Sequence, residues 1–266
     1  LPIASFGWRV QKKPLYTTET MEAIPPRGGE PDAGGSLVVY QDNQKGDWDV
    51  YMWSGTTRTP VYAGPGDQIY PTTDGSLVVW QDDRNGNWDL YSYDLATGKV
   101  EQLTFDPSNQ TRPHLQDGVL VWQDDRKGDW DLLALDLSSG DEVVVAEGRG
   151  SQMNPAVSGR RVAWMDNSSG SWDISARDLD GAPIKPPAPR SGDQINPGIS
   201  GDLLVWQDDR NGDWDVYAWD LVTGEERKLT GEGDQINPHV SGNIIVWEDS
   251  TTGDVSYYFW DTEWGR

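Results

Sequence analysis

Cysteine is absent from the 266-residue sequence, so disulfide bonds and thiolate chemistry are excluded, and the redox compartment is left open. No run of about 18 apolar residues occurs, so no membrane insertion is expected. Positive charge is scarce: 21 Lys and Arg stand against 44 Asp and Glu, which gives a formal net charge of −23. Such a chain repels phosphate backbones, so it is not expected to bind nucleic acid.

What the sequence has in abundance is a repeat. The stretch "VWQDDRNGDWDVYAWD" (205–220) recurs in altered form along the chain. The first aspartates of the six copies lie 40 to 42 residues apart: Asp42, Asp82, Asp124, Asp166, Asp208 and Asp249. A unique active site is not built six times over. The repeat therefore indicates architecture before it indicates chemistry.

Each repeat is predicted to form four short strands. In the fifth, "DQINPGIS", "DLLVWQD", "DWDVYAWD" and "EERKLT" are separated by glycine-containing turns. A period of about 40 residues with four strands is typical of a propeller. The sequence thus predicts an all-β, six-bladed β-propeller of four-stranded blades. A linear β array is the alternative, but it would leave exposed edges at both ends.

One domain is predicted, spanning residues 1–266, with repeats starting near residues 31, 67, 109, 151, 193 and 234. The sixth repeat stops after its third strand. Residues 8–18, "WRVQKKPLYTT", resemble the fourth strands, so an N-terminal strand is predicted to complete the last blade and close the ring. The proline-rich segment 181–192 predicts a ragged outer strand in the fourth blade.

The order of elements within the unit resembles the TolB-type repeat, also called the WD40-like Pro-Asp repeat. A proline precedes the first turn of each copy, and an Asp-hydrophobic-Tyr element opens the third strand, as in Asp89 to Tyr91 and Asp215 to Tyr217. The prolines are Pro31, Pro71, Pro113, Pro155, Pro197 and Pro238. The resemblance implies a propeller that is extracellular, periplasmic or on the cell surface. The family includes a Tol–Pal component, surface propellers, and propellers attached to peptidases and polysaccharide lyases.

The repeated aspartates have two interpretations. A carboxylate at the end of a strand can accept the N–H groups of the following turn and pair with a turn arginine, such as Arg84, Arg126 or Arg210. Close carboxylates can also bind calcium, which takes several oxygen ligands. No cofactor is expected on the first interpretation, and calcium is possible on the second.

The candidate ligand site is the mouth of the central channel. The links between blades and the turns between second and third strands should emerge at one end, where the six turn segments hold 19 of the 44 acidic residues. Histidines follow the link proline in the third and sixth blades. The predicted ligand-binding residues are Gln68, Tyr70, Gln110, Arg112, His114, Gln152, Asn154, Gln194, Asn196, Gln235, Asn237 and His239.

No nucleophile elbow, P-loop or histidine cluster is present, so no catalytic residue and no metal ligand is predicted, and enzymatic activity is left uncertain. The favoured function is an exported or cell-surface module that binds a carbohydrate or protein partner, as a monomer. A polysaccharide lyase or glycosidase with its site at the same mouth is the first alternative. A purely structural surface protein is the second.

Overall fold

The computed structural model describes residues 28–55, 57–250 and 252–259, and within these ranges the regular structure consists of 22 β-strands. No helix long and apolar enough to cross a membrane occurs among them. The strands of the first three repeats are β1 (Gly28–Gly34), β2 (Leu37–Asp42), β3 (Asp49–Trp53), β4 (Arg58–Tyr62), β5 (Gln68–Thr73), β6 (Leu77–Asp82), β7 (Asp89–Asp94), β8 (Val100–Gln102), β9 (Gln110–Gln116), β10 (Val119–Asp124), β11 (Asp131–Asp136) and β12 (Asp141–Ala146). Those of the last three are β13 (Gln152–Ser158), β14 (Arg161–Asp166), β15 (Asp173–Asp178), β16 (Gln194–Ser200), β17 (Leu203–Asp208), β18 (Asp215–Asp220), β19 (Glu226–Lys228), β20 (Gln235–Ser241), β21 (Ile244–Asp249) and β22 (Asp254–Phe259).

The strands form six antiparallel sheets, one for each repeat, in which sequence neighbours are also neighbours in space. In the part of the chain that the structure describes, four sheets have four strands, and the sheets of the fourth and sixth repeats have three. In the fourth repeat the segment 181–192 forms no strand, so the predicted outer strand is missing altogether. The strand predicted over residues 8–18 lies outside the described residues.

The second strand of most sheets is a nearly continuous apolar run that is buried on both faces, as in β6, β10 and β17. Val78, Val79 and Trp80 are completely buried in β6. The Trp80 ring stacks on Tyr91 of its own sheet and on Tyr62 of the preceding sheet, with centroids 6.3 and 6.0 Å apart. The tryptophans that close second strands thus fill the space between adjacent sheets. Those that open third strands are only half-buried.

The first strand of each sheet is the innermost one. Contacts join β1 to β5, β5 to β9, β9 to β13, β13 to β16, and β16 to β20. Side chains also join neighbouring inner strands, as Thr72 Oγ1 on β5 does by donating to Asp32 Oδ2 on β1 at 2.7 Å. The inner strands therefore border a common space. This space is called the channel below.

Strand register places the blade links and the turns between second and third strands at the same end of the molecule. Gln68 at the start of β5 pairs with Asp82 at the end of β6, and the corresponding glutamine and aspartate pair in each of the next four sheets. This end, called the turn face below, carries the acidic segments, as the sequence predicted.

Candidate ligand-binding site

The first aspartate of the repeat is the centre of a buried clamp. The Asp82 carboxylate is fully buried and accepts a hydrogen bond from Trp80 Nε1 at 2.9 Å. It accepts three more from Arg84, through N at 3.0 Å, through Nε at 2.8 Å and through Nη2. The guanidinium lies between the rings of Tyr62 and Tyr91, 3.9 and 4.0 Å from their centroids. The carboxylate thus fixes the tryptophan, the turn and the arginine together.

An arginine binds the first aspartate in three further sheets, the first, third and fifth, and in the first sheet it comes from strand β4 instead of the turn. Arg126 and Arg210 bind their own aspartates in the same way. In the first sheet the turn has no arginine, and Arg58 on β4 reaches Asp42 instead, with Nη2 2.8 Å from Oδ2. The fourth sheet has no arginine in its turn: Asp166 accepts only the Ser168 N–H of its turn in the described structure.

The other repeated aspartates also have protein partners. Asp83 Oδ1 accepts the backbone N–H of Asp67 at 2.7 Å, and Asp67 Oδ1 accepts that of Trp48 in the preceding sheet at 3.0 Å. This close approach of link and turn needs glycine at Gly66, whose φ is +82° and whose hypothetical Cβ would meet Asp83 Oδ1. The buried Asp215 accepts from Asn211 and Thr230 and pairs with Lys228. These contacts support the turn interpretation, whereas calcium binding stays a prediction.

The predicted ring of glutamines is not exposed at the mouth. All five are buried, and their side-chain amides donate to carbonyls of their own links, as Gln68 Nε2 does to Gly66 O at 3.0 Å. Their backbone N–H groups bind the carbonyl of a tryptophan in the preceding sheet. Within the described residues, the side-chain Oε1 of four of them has no protein partner: Gln68, Gln110, Gln152 and Gln235. A buried water is the usual partner of such an atom.

Two residues after the glutamine position, each inner strand bulges and one residue takes a left-handed conformation. The residues at this position, called the bulge residues, are Glu30, Tyr70, Arg112, Asn154, Asn196 and Asn237, with φ between 48° and 54°. In four of them, Tyr70, Arg112, Asn154 and Asn237, the backbone N–H donates to a glutamine of the preceding sheet, as Tyr70 N does to Gln41 Oε1 at 2.7 Å. The backbone of the bulge residue therefore joins two sheets while its side chain is left for other roles.

Tyr70 and Arg112 form a pair across two neighbouring sheets. The Arg112 guanidinium carbon lies 4.1 Å from the centroid of the Tyr70 ring, and Nη2 donates to Tyr70 Oη at 2.9 Å. Both side chains are half-buried. In the next two sheets asparagines pair instead: Asn154 Nδ2 donates to Asn196 Oδ1 at 3.0 Å. The side chains of the bulge residues therefore differ from sheet to sheet: a tyrosine and an arginine pair in the second and third sheets, and asparagines pair in the fourth and fifth.

A second ring of equivalent positions lies two residues further along the inner strands. Its members are Asp32, Thr72, His114, Ala156, Gly198 and His239. Thr72 Oγ1 donates to Asp32 Oδ2 at 2.7 Å, and His114 Nδ1 accepts the Val157 N–H at 3.0 Å. Because Nδ1 is an acceptor, the neutral imidazole carries its proton on Nε2. Burial lowers the pKa of His114 and His239 lowers it further, while Asp32 opposes them.

The structure keeps seven of the twelve predicted residues on the two rings and places the five glutamines in the wall between sheets. Sequence reasoning missed Glu30, Asp32 and Thr72, which occupy equivalent positions in the first two sheets. The signal was available, because these residues stand at the same repeat positions as Tyr70 and His114. Among the described residues, no group of three or more His, Asp or Glu side chains is arranged to hold a metal ion.

No family model and no curated protein sequence matches the chain. Solved structures do match. TolB from Acinetobacter baumannii aligns with a TM-score of 0.61 and 18% identity over 80% of this chain, which corresponds to 56% of that TolB. A putative TolB from Agrobacterium tumefaciens aligns with a TM-score of 0.59 and 18% identity over 87% of this chain and 88% of its own. An oligogalacturonate lyase, solved in complex with manganese, aligns with a TM-score of 0.61 and 17% identity over 87% and 76%. At these identities the likeness is one of fold: the chain has the fold of a TolB-type β-propeller.

Proposed function

We propose that this chain is an exported or cell-surface binding module, a closed six-bladed propeller that takes a carbohydrate or protein ligand at the channel mouth on the turn face. One observation carries the proposal. The positions that hold the sheets together, such as the clamp aspartates and the link glutamines, are nearly the same in every repeat. The two inner rings differ from sheet to sheet, although they occupy equivalent places in the fold.

This contrast matters because a ring of identical blades offers no unique pose to a ligand. The rings place Tyr70 and Arg112 beside one another, and asparagine amides in the next two sheets. Below them lie Asp32, Thr72 and His114. A concave opening with a few convergent polar groups is the usual form of a ligand site. The outer strands are instead solvated edges, such as β8, where Lys99 pairs with Glu101.

The experiment is a ligand screen followed by matched variants. Binding to an array of glycans and peptides identifies a ligand, and its affinity is then measured for His239→Ala at the channel and Lys99→Ala on an outer strand. We expect the first variant to weaken binding and the second to leave it unchanged. Lys228 is unsuitable as the control because its ammonium pairs with the buried Asp215. Loss of binding in the outer-strand variant alone would contradict the placement at the mouth.

A polysaccharide lyase or glycosidase is the second candidate, favoured by the likeness in fold to an oligogalacturonate lyase. On the two inner rings the carboxylates are Glu30 and Asp32, both on β1. His114 turns its protonated Nε2 away from the Val157 N–H, so in this tautomer it is a hydrogen-bond donor and not a base. Release of unsaturated sugars from a polysaccharide would favour the lyase, and binding without turnover would favour the module.

A further inference from the structure

We propose that Arg112 and Tyr70 together bind a carboxylate group of the ligand. The inference rests on the proposed function, because it places the ligand at the same mouth, and it adds the chemical group that is recognised there. Three independent observations lead to it: the backbone conformation of the two residues, the geometry of their side chains, and the charge around them.

The backbone conformation is unfavourable for these residue types. Tyr70 and Arg112 have φ of 53° and 48°, whereas asparagine holds the same position in the last three sheets. Asparagine tolerates the left-handed region because its short side chain bonds locally, but other side chains incur a cost of about 1 kcal/mol. Strain of this kind is concentrated at ligand sites, where surrounding structure enforces it. The bond between sheets at this position uses only the backbone N–H, which asparagine supplies equally well, so it requires neither a tyrosine nor an arginine.

The geometry of the two side chains directs hydrogen-bond donors toward an anion. The Tyr70 ring lies against the guanidinium, whose central carbon is 4.1 Å from the ring centroid, and the bond from Nη2 to Tyr70 Oη holds the group beside the hydroxyl. One of five guanidinium N–H groups is used in that bond, and the tyrosine hydroxyl, being an acceptor there, still has its own proton to donate. A planar pair of N–H groups and an adjacent O–H match the two oxygens of a carboxylate.

The charge around Arg112 differs from that around the other aromatic-stacked arginines. Arg58, Arg84 and Arg210 each bind a fully buried aspartate, whereas in the described part of the chain no carboxylate lies within 4.0 Å of the Arg112 guanidinium. In a protein with a net charge of −23, a half-buried cation without an acid is available for an anion supplied from outside. The turn face repels anions in proportion to their charge, which favours a singly charged carboxylate over a doubly charged phosphate.

The carboxylate can come from an acidic sugar or from the end of a peptide, and the experiment separates these sources. Glucuronate is compared with glucose, and N-acetylalanine with N-acetylalaninamide, by titration followed in NMR spectra of the full chain. Inorganic phosphate is the fifth probe. We expect one or both acids to bind with a dissociation constant of about 1 mM, at least about tenfold tighter than the neutral analogue and phosphate. The acid that binds identifies the source.

The variants use the substitutions that the repeat itself supplies. Arg112→Asn and Tyr70→Asn introduce the residue of the last three sheets, so both should fold, with a melting temperature equal to or above that of the parent because the strain is relieved. Both should weaken binding of the acid about tenfold or more. Tyr70→Phe keeps the stack and removes only the hydroxyl, so it should show a smaller loss. Arg149→Asn removes an exposed cation from a link and should change nothing.

The outcomes distinguish this inference from the proposed function. Equal binding of acids and neutral analogues, tighter binding of phosphate, or no binding of any acid would overturn the carboxylate site. So would a loss in Arg149→Asn as large as that in Arg112→Asn, because binding would then depend on general charge. If a ligand from the array binds normally to Arg112→Asn but poorly to His239→Ala, the result supports the proposed binding module and contradicts the carboxylate site. Failure of both variants to affect that ligand would contradict the proposed function itself.

Discussion

Removal of the Asp208 carboxylate tests what the repeated aspartates do. Asp208 is fully buried and accepts hydrogen bonds from Trp206 Nε1 at 3.0 Å and from Arg210 N and Nε at 3.0 and 2.9 Å. Hydrogen bonds to Asp208 and Glu226 hold the pKa of Arg210 above its usual value, although desolvation by burial is the largest influence and opposes them. Asp208→Ala would therefore leave a desolvated cation and a buried indole N–H without their main acceptor.

The expected cost follows from these contacts. Breaking a buried ion pair by removal of one partner costs about 3–5 kcal/mol. The lower end applies here because Arg210 keeps Glu226 at 3.0 Å and its side chain is 15% exposed. We expect the free energy of unfolding to fall by about 3 kcal/mol and, for a chain of this size, the melting temperature to fall by about 8 °C. Asp208→Asn, which keeps an acceptor for the indole and the turn, should cost about half as much.

The fourth sheet supplies a matched control. Asp166 occupies the same repeat position but is half-buried, and within the described residues its carboxylate accepts a single hydrogen bond, from Ser168 N at 2.8 Å. Asp166→Ala should therefore cost about 1 kcal/mol, which corresponds to about 3 °C. Calorimetric or fluorescence-detected unfolding of both variants and the parent measures the difference.

The same measurement decides between the turn support and the calcium site. If the aspartates support turns, a chelator leaves the melting temperature of the parent unchanged. A fall on addition of chelator that added Ca²⁺ reverses would refute the reasoning. So would an Asp208→Ala variant that is destabilised no more than Asp166→Ala, because the arginine clamp would then contribute nothing.

Two further predictions concern closure and pH. Deletion of residues 1–18 should lower the melting temperature sharply if residues 8–18 complete the last blade, and unchanged thermal unfolding would exclude that strand. Because the folded chain lowers the pKa of His114, the unfolded chain binds a proton more readily, so the free energy of unfolding should fall as the pH falls below about 6.5. In urea titrations at pH 7 and pH 5 the fall should be smaller in His114→Asn, and also in His239→Asn because His239 contributes to the shift. An equal fall in the parent and His114→Asn would contradict this origin.

Local patterns explain which parts of the clamp could be predicted. Asp82 and Arg84 lie two residues apart at a turn, so their pairing follows from sequence spacing alone. Arg58 lies 16 residues from Asp42, and only the strand order of the folded sheet brings them together. The sequence did hold a hint, because the first repeat keeps its aspartate while its turn, "DNQKG", has no arginine. A buried carboxylate without a local cation requires one from elsewhere.

The candidate site was harder to predict because two kinds of position alternate along the inner strand. Gln68 and Tyr70 lie two residues apart, which places side chains on one face of a regular strand, and both were expected at the mouth. The bulge at Tyr70 breaks this alternation, so the glutamine turns into the wall between sheets while the tyrosine side chain stays at the channel. Asparagine at this position in three repeats was the available signal, since asparagine is enriched in left-handed backbone.

The bulge also explains how a repeat can hold a fold constant and vary its chemistry. At Tyr70, Arg112 and Asn154 the contribution to the ring is one backbone N–H, which every residue except proline possesses. The side chain can therefore change without loss of the bond between sheets, at a cost limited to backbone strain of about 1 kcal/mol. The clamp aspartates have no such freedom, because their side chains are the structural element. The inner rings can thus vary because of the way the sheets are joined, and they are where a ligand in the channel would make contact.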